Sequence, residues 1–111
     1  MKVINRIKAN EEFASVIKKG HCVRMITFNI FIKKNDLNRV RVGLSVGKKV
    51  GNAVIRNKVK RQLRSMIDDL VNYKNHSLDM VVIVKKEFLN KSFNENKELL
   101  YNSHSIFKEL I

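Results

Sequence analysis

The sequence contains one cysteine, no proline and no tryptophan among its 111 residues. A single cysteine, Cys22, excludes an intramolecular disulfide. His21, His76 and His104 lack the spacing of metal ligands, so we expect no metal and no cofactor bound by the protein itself. The longest apolar runs, such as Met80–Val84, are far shorter than a membrane span, and the N-terminus alternates charged and apolar residues, unlike a signal peptide. We therefore expect a cytoplasmic protein without a membrane partner.

Acidic residues are scarce, and their scarcity is local. The chain has 23 Lys and Arg against 10 Asp and Glu, a formal net charge of +13. Between residues 13 and 67 there are 14 basic residues and one acid, whereas residues 68–111 carry 6 basic residues and 7 acids. A surface of one sign attracts polyanions over about 8 Å at physiological salt. On charge alone, nucleic acid, an anionic membrane and an acidic protein stay open as partners, as does a basic surface that serves only solubility.

The order of hydrophobic patterns predicts one α+β domain over residues 1–111. Hydrophobic residues make up 44% of the chain, which suffices for a core. We predict a helix at 10–19 with Asn10 as its cap and Gly20 as its end, and strands at 23–33 and 39–47 that form an antiparallel hairpin around a turn at 35–38. A long helix at 53–73, a buried strand at 80–84 and a C-terminal helix behind the capping box of Ser92 and Glu95 complete the order α-β-β-α-β-α. Helices packed over one small sheet, a two-layer α/β sandwich, are the simplest architecture for this order.

Each of the first two predicted strands has one apolar face and one face with candidate functional residues. In the first, Ile26, Phe28, Ile30 and Ile32 alternate with Thr27, Asn29, Phe31 and Lys33. In the second, the polar face carries Arg39, Arg41, Gly43, Ser45 and Gly47. That face either exposes backbone to a bound polymer or is an ordinary solvent face with glycines.

Two phenylalanines have two open interpretations each. Phe31 is the large aromatic residue on the polar face of its strand, where a ring can stack on an unpaired base for roughly 1–3 kcal/mol. It could equally pack as core against the first helix. Phe13 lies at core spacing on that helix and could also line the same groove, since one ring can both pack in the core and contact a ligand.

The most basic segment of the chain is 48–64, in which seven of seventeen residues are basic and none is acidic. Arg56, Lys60 and Arg64 fall four apart on one side of the predicted long helix, where like charges destabilise an isolated helix by a few tenths of a kcal/mol per pair. A phosphate backbone would offset this repulsion. An ordinary solvent face usually mixes the two signs, whereas here the first acid is Asp68. The segment therefore predicts binding to nucleic acid.

The sequence offers no constellation typical of an autonomous active site. A metal-dependent nuclease needs clustered carboxylates, and an acid–base nuclease usually needs histidine beside a second titrating group. Ser45 and Cys22 have no partner histidine at a suggestive spacing. The segment 47–51 is too short for a phosphate-binding loop of the Walker type. We therefore predict no catalytic residues in this chain.

The segment 43–61, GLSVGKKVGNAVIRNKVKR, closely resembles the signature of the bacterial ribonuclease P protein component. The resemblance extends more loosely through Arg6-Ile7-Lys8, Phe13 and Gly20, and through the strand at 80–84. It implies an α/β sandwich with a left-handed parallel β-α-β connection, against the usual right-handed rule. It also implies that the catalytic site and its magnesium ions belong to a catalytic RNA, with which the protein associates while it contacts the 5′ leader of precursor tRNA. No obligate protein partner is implied.

Carried over by position, the resemblance assigns two sets of residues. The predicted contacts to the catalytic RNA are Lys48, Lys49, Arg56, Asn57, Lys58, Lys60, Arg61 and Arg64. The predicted leader-binding cleft consists of Phe13, Ile17 and Phe31, to which the polar strand face adds Arg41 and Ser45. Members of the family often have an aromatic residue in place of Ile17, so stacking in this cleft is expected to be weaker. A structural RNA-binding protein of ribosomal type and an independent nuclease are the competing hypotheses.

Overall fold

The computed structural model describes residues 1–2, 5–74 and 76–110, with the backbone alone at 106–110. Its elements follow in the order α1 (Asn10–Lys19), β1 (His21–Arg24), β2 (Phe28–Lys34), β3 (Val40–Ser45), α2 (Ala53–Leu70), β4 (Leu78–Val84), a short 3₁₀ helix (Lys86–Asn90) and α3 (Phe93–Leu110).

The four strands form one sheet in the order β1-β2-β4-β3. β4 occupies a central position because it is the most apolar strand and can be covered on both sides. It pairs antiparallel with β2 and parallel with β3. The segment β3-α2-β4 is therefore a parallel crossover, the unit to which the family resemblance assigns a left hand.

The predicted hairpin between the second and third strands is wrong, because β4 lies between them. β2 and β3 do run antiparallel to each other, yet each pairs with β4. A connection of five residues can span the roughly 9.6 Å of two strand spacings at about 3.3 Å per residue. Ser77 at the start of β4 holds this connection, since its carbonyl accepts from the Asn35 amide and its hydroxyl accepts from the Asn38 amide.

The segment predicted as one strand at 23–33 is itself a hairpin of β1 and β2. The chain turns at Met25–Thr27, where the Lys85 ammonium donates to the Met25 carbonyl at 2.8 Å and the Lys85 amide to the Thr27 carbonyl. Because of this turn, Ile26 points outward with 63% of its surface exposed, and Thr27 is fully buried. The alternation predicted for these two residues is thus reversed, while that of β2 itself is confirmed.

One face of the sheet carries α2, α3 and the main core. Its members come from β2, β3 and β4 and from the inner side of α2, where Val59, Leu63, Met66 and Ile67 are at most 1% exposed. Phe88 of the 3₁₀ helix and Leu100 of α3 complete it. This continuous apolar layer is the expected sandwich of helices on a sheet.

The other face of the sheet carries α1 alone. A smaller cluster of Ile7, Val16 and Val81 forms there, with Phe13, Phe31 and Ile83 packed against it and partly exposed. The segment before α1 pairs with the edge of β3, where the Ile7 amide donates to the Val42 carbonyl at 2.9 Å. α1 therefore covers only part of its face and leaves an open region beside it.

Most predicted helix ends agree with the structure, but the start of α1 does not, nor does the end of the long helix, which was predicted at 73 and lies at Leu70 because Val71 is already extended. α1 begins after Ala9, which makes no side-chain cap, so the prediction of Asn10 as its cap is wrong. Ser92 and Glu95 form the predicted capping box, each accepting from the other's backbone amide at 3.0–3.1 Å. Gly20 ends α1 as predicted. Among the described helices, none combines the length and the hydropathy that crossing a membrane would require.

Candidate nucleic-acid interface

The connection from β3 to α2 exposes its two lysines because its valines hold it to the core. Val46 and Val50 are 8% and 6% exposed, and the Val50 amide donates to the Gly47 carbonyl at 3.0 Å. Lys48 and Lys49, which lie between these anchors, are exposed. The two lysines are thereby presented at the start of α2.

The side chain of Asn52 caps α2, since its oxygen accepts from the Ile55 amide at 3.0 Å. This bond satisfies one of the free amides of the first turn. The helix then buries one side in the main core. Its basic residues, together with Asn57, lie in two rows on the rest of its surface. The outer row, Asn57, Lys58 and Arg61, is exposed, and the flanking row, Arg56, Lys60 and Arg64, is half-buried. All eight predicted RNA contacts therefore lie on one helix and the turn before it.

The charges of α2 oppose its dipole. The first turn contains no acid and the last turn contains no base, whereas Asp68 and Asp69 lie near the C-terminus. Positive side chains near a helix N-terminus are unfavourable by a few tenths of a kcal/mol or more, since that end already carries about half a positive charge. The arrangement costs helix stability and concentrates positive potential on one end of the molecule. A bound polyanion would relieve that repulsion.

Lys60 and Arg64 of the flanking row border a cleft of about 200 Å³. Phe13 of α1 lies on the same cleft as Lys60 and Arg64, and apolar side chains of β3 form its floor. An aromatic ring is thus placed next to two cations on a different helix. Unpaired nucleotides are bound by this combination, because the ring stacks on a base and the cations contact its phosphates.

The predicted cleft residues other than Phe13 occupy different surroundings. Phe31 is partly buried against the cluster beneath α1, which supports its packing role, while its stacking on a base stays a prediction. Ile17, one turn after Phe13, is 38% exposed. Ser45 lies on the same sheet face and pairs in register with Ile83, at a half-buried position. The structure thus places these residues on the α1 face of the sheet.

Arg41 is engaged in ion pairs. Its guanidinium donates to both oxygens of Asp79 at 2.9 and 2.7 Å and contacts Glu12 of α1 at 2.5 Å. The hydrogen bonds and charge of Asp79, with those of Glu12, raise the pKa of Arg41 despite its partial burial. Burial alone would raise the pKa of Asp79, but hydrogen bonds from Arg41 and Asn35 hold that pKa below its ordinary value. Arg41 therefore fastens α1 to the sheet, with its charge balanced by two carboxylates.

Arg6 and Lys8 line the same cleft as Phe13, although the sequence predicted no role for them. They reach it because the segment around Ile7 pairs with the edge of β3. The sequence signal for this pairing was the alternation of two basic residues around one isoleucine. Three residues are too short a pattern to predict that the segment pairs with a strand.

A second group of basic residues is assembled by the sheet. The pairing of Phe28 with Val84 puts the β1–β2 turn beside the end of β4. Arg24, Lys85 and Lys86 therefore lie at the same end of the sheet as the turn that carries Lys48 and Lys49. Sequence reasoning missed this group because its members are about sixty residues apart.

The acids of the described residues are dispersed or engaged. No group of three or more His, Cys, Asp or Glu side chains in the described ranges could hold a metal ion. Asp68 accepts from the Tyr73 hydroxyl at 2.6 Å, which together with the chain's amino group holds its pKa low against the opposing effect of burial. Asp69 pairs with Lys97 of α3 at 2.8 Å.

Comparison with known proteins finds clear relatives of this chain. A family model described as Ribonuclease P matches residues 1–109. The ribonuclease P protein component of Mesoplasma florum is 44% identical over 95 residues, covering 85% of this chain and 86% of its own length. That of Oceanobacillus iheyensis is 42% identical over 110 residues, covering 98% and 89%.

Solved structures agree with the sequence relatives. The chain superposes on the ribonuclease P protein of Staphylococcus aureus with a TM-score of 0.82 at 31% identity, covering 94% of this chain and 95% of that one. A mutant of the Staphylococcus aureus protein, described as defective in mRNA degradation activity, gives 0.82 at 32% identity, with 95% and 89% covered. For the Thermotoga maritima protein the TM-score is 0.75 at 29% identity, with 87% and 92% covered. The chain belongs to the ribonuclease P protein family.

Proposed function

We propose that this protein binds the catalytic RNA of ribonuclease P and the 5′ leader of precursor tRNA, and so assists removal of the leader without catalysing cleavage itself. Its place of action is the bacterial cytoplasm, where precursor tRNA is made. The observation that carries the proposal is the cleft in which Phe13 meets Lys60 and Arg64. A ring beside two cations suits an unpaired, flexible strand, which is what a leader is.

The two basic rows of α2 suggest a division between the two RNA partners. The outer row, with Asn57, Lys58 and Arg61, is exposed and can meet a large folded RNA. The flanking row contributes Lys60 and Arg64 to the cleft and can contact the leader backbone. Lys48 and Lys49 precede both rows and can reach either partner. One helix would then hold the leader in a fixed place relative to the catalytic RNA.

Magnesium in the assembled enzyme is assigned to the RNA. In this chain Asp79 is paired with Arg41 and Asp68 is hydrogen-bonded to Tyr73. Their oxygens are therefore already engaged within the chain. The chain's own contribution is to bind and orient RNA through Phe13 and the cations.

The test is cleavage of a 5′-extended precursor tRNA by a bacterial ribonuclease P RNA at low magnesium, with and without the protein. We expect cleavage at the mature 5′ end to depend on the protein, because the protein supplies positive charge and leader contacts that magnesium alone provides only at high concentration. A protein-only reaction serves as the control. It includes an mRNA substrate, since a mutant of a related protein is described as defective in mRNA degradation activity.

Two results would oppose the proposal. Cleavage of precursor tRNA by protein alone would contradict the assignment of the active site to RNA. Intact RNA binding without stimulation of cleavage, together with a preference for ribosomal RNA, would favour a structural RNA-binding protein.

A further inference from the structure

Gly43 lies in the middle of β3, directly under the ring of Phe13. A Cβ atom at Gly43 would lie 2.6 Å from Phe13 Cζ and 2.8 Å from Cε1. These distances are below any contact that two carbon atoms tolerate, so no other residue fits unless the ring moves. None of the described glycines has a positive φ, so space and not backbone conformation requires glycine at this position.

The position of the ring explains why Gly43 is buried although it lies on the strand face predicted to expose backbone. Phe13, and not a bound polymer, occupies the space above it. The ring also lines the cleft that Lys60 and Arg64 border. The depth at which the ring rests on β3 therefore sets the shape of that cleft.

We propose that Gly43 is a positioning residue for RNA: its missing side chain lets the Phe13 ring rest on the backbone of β3, where the ring can stack on a leader base whose phosphates reach Lys60 and Arg64. This inference rests on the proposed function. A side chain at Gly43 would lift the ring into the cleft and narrow the space for a base, although Gly43 itself touches no RNA.

Gly47 provides a matched control at the far end of the same polar strand face. A Cβ atom at Gly47 would have no atom within 4 Å. The substitutions Gly43→Ala and Gly47→Ala thus add the same methyl group and remove the same backbone freedom, but only the first displaces Phe13. Each variant is combined with a bacterial ribonuclease P RNA, and the Kd for precursor tRNA and for mature tRNA is measured.

We expect Gly43→Ala to lower the preference for precursor over mature tRNA at least about fivefold, the value of one weak stacking contact. Gly47→Ala should stay within about twofold of the wild type. Affinity for the catalytic RNA should be unchanged in both variants, because neither substitution removes a charge and the outer row of α2 does not line the cleft.

The double variant Phe13→Ala with Gly43→Ala separates positioning from a loss of folding, because removing the ring leaves room for the added methyl group. If Gly43 acts through the ring, the double variant folds and has the preference of Phe13→Ala alone. If the two losses multiply, the inference is overturned. A wild-type protein that shows no preference would refute the proposed function and the inference together, whereas a wild-type preference that Gly43→Ala leaves intact would refute the inference alone.

Discussion

The two faces of the sheet are covered to very different extents. Among the residues that the structure describes, sixteen buried ones form one continuous cluster on the face under α2 and α3. On the face under α1, three described residues form the buried cluster, and Phe13, Phe31 and Ile83 around it stay partly exposed. The first face therefore supplies most of the hydrophobic stabilisation, since that stabilisation is proportional to the apolar area removed from water.

The difference explains where a ligand site can form in so small a domain. α2 belongs to both regions, because its inner side fills the covered core and its Lys60 and Arg64 border the cleft that Phe13 of α1 lines. The large core can hold α2 in place despite charges that oppose the helix dipole. The less covered face can then leave rings and polar groups open to a partner. Substitutions on the two faces should accordingly separate stability from RNA recognition.

Leu63→Ala should produce the largest loss of stability, because Leu63 is fully buried between α2 and the sheet. Large-to-small substitutions at such sites cost about 3 kcal/mol, through lost burial and the cavity left behind. Urea denaturation would measure the change. Below its melting temperature the variant should still bind RNA as the wild type does. A variant with unchanged stability would show that the covered face is not the main source of it.

Charge reversal of Lys58 and Arg61, in the outer row of α2, to glutamate should weaken binding to the catalytic RNA about a hundredfold, if each residue makes one charge-assisted phosphate contact. The slope of log Kd against log salt should also flatten by about 1.5, because a complex that has lost two phosphate contacts releases fewer counterions when it forms. Filter binding at several salt concentrations would measure both.

The matched control reverses two other lysines, Lys34 and Lys74. Lys34 pairs with the first residue of β4, and Lys74 bridges to Arg39 before β3, so both lie at the opposite end of the sheet from the start of α2. The net charge changes equally, but the salt slope should change little. Equal effects of the two double variants would mean that overall charge, and not the face of α2, determines binding.

Asp79→Asn should destabilise the protein by about 2 kcal/mol, because it leaves the half-buried guanidinium of Arg41 with Glu12 as its remaining carboxylate partner. The pKa of Asp79 in the folded protein lies below its ordinary 3.8, so the unfolded chain binds more protons between the two values. Its contribution is present above pH 3.8 and is lost as the pH falls through the folded-state pKa.

Thermal unfolding from pH 6 to pH 2 would test this sign. The decline in melting temperature at acid pH should be shallower in Asp79→Asn than in the wild type. Asp36→Asn, in the exposed connection after β2, is the control and should follow the wild-type curve. An Asp79 variant with the full wild-type acid dependence would rule out the proposed role of this ion pair.

Phe31→Ala tests the less covered face, in contrast to Leu63→Ala. Phe31 packs against the small cluster and is partly exposed. We expect the preference for precursor over mature tRNA to fall about tenfold, while the affinity for the catalytic RNA is kept, because a lost stacking contact of about 1.4 kcal/mol affects only the leader. Equal losses of both affinities would indicate that Phe31 packs and does not recognise RNA.

Local pattern predicted the helices and most of the strands, but it missed the turn between β1 and β2 and could not predict how the strands pair. The periodicity of α1 and α2 and the capping box at Ser92 depend on neighbours in sequence, and those predictions are confirmed. The insertion of β4 between β2 and β3 depends on contacts between residues some forty positions apart. A turn of five residues is compatible with direct pairing of β2 and β3 and with a strand inserted between them. The turn therefore could not show that the predicted hairpin was wrong.

The candidate site follows the same division. The basic residues of α2 were identified because they share one segment, and their spacing predicts their side of the helix. The partners of Arg41 and the place of Arg6 could not be predicted, because they depend on which elements the fold brings together. Likewise, Gly43 was assigned to exposed backbone because nothing local to it indicates the ring of Phe13.

Ser92→Ala should have the smallest effect of the five sets of substitutions discussed above and here. It tests the start of α3, at the edge of the covered face. The Ser92 hydroxyl accepts from the Glu95 amide at 3.1 Å, and loss of such a cap costs about 1 kcal/mol. The control is Ser105→Ala, whose hydroxyl lies within α3 and makes only a long contact of 3.4 Å to the Tyr101 carbonyl. Urea denaturation should distinguish the two, and neither should alter the preference for precursor tRNA, because no described residue that lines the cleft belongs to α3. If Ser92→Ala reduced that preference, the separation between a stabilising face and a recognising face would be incomplete.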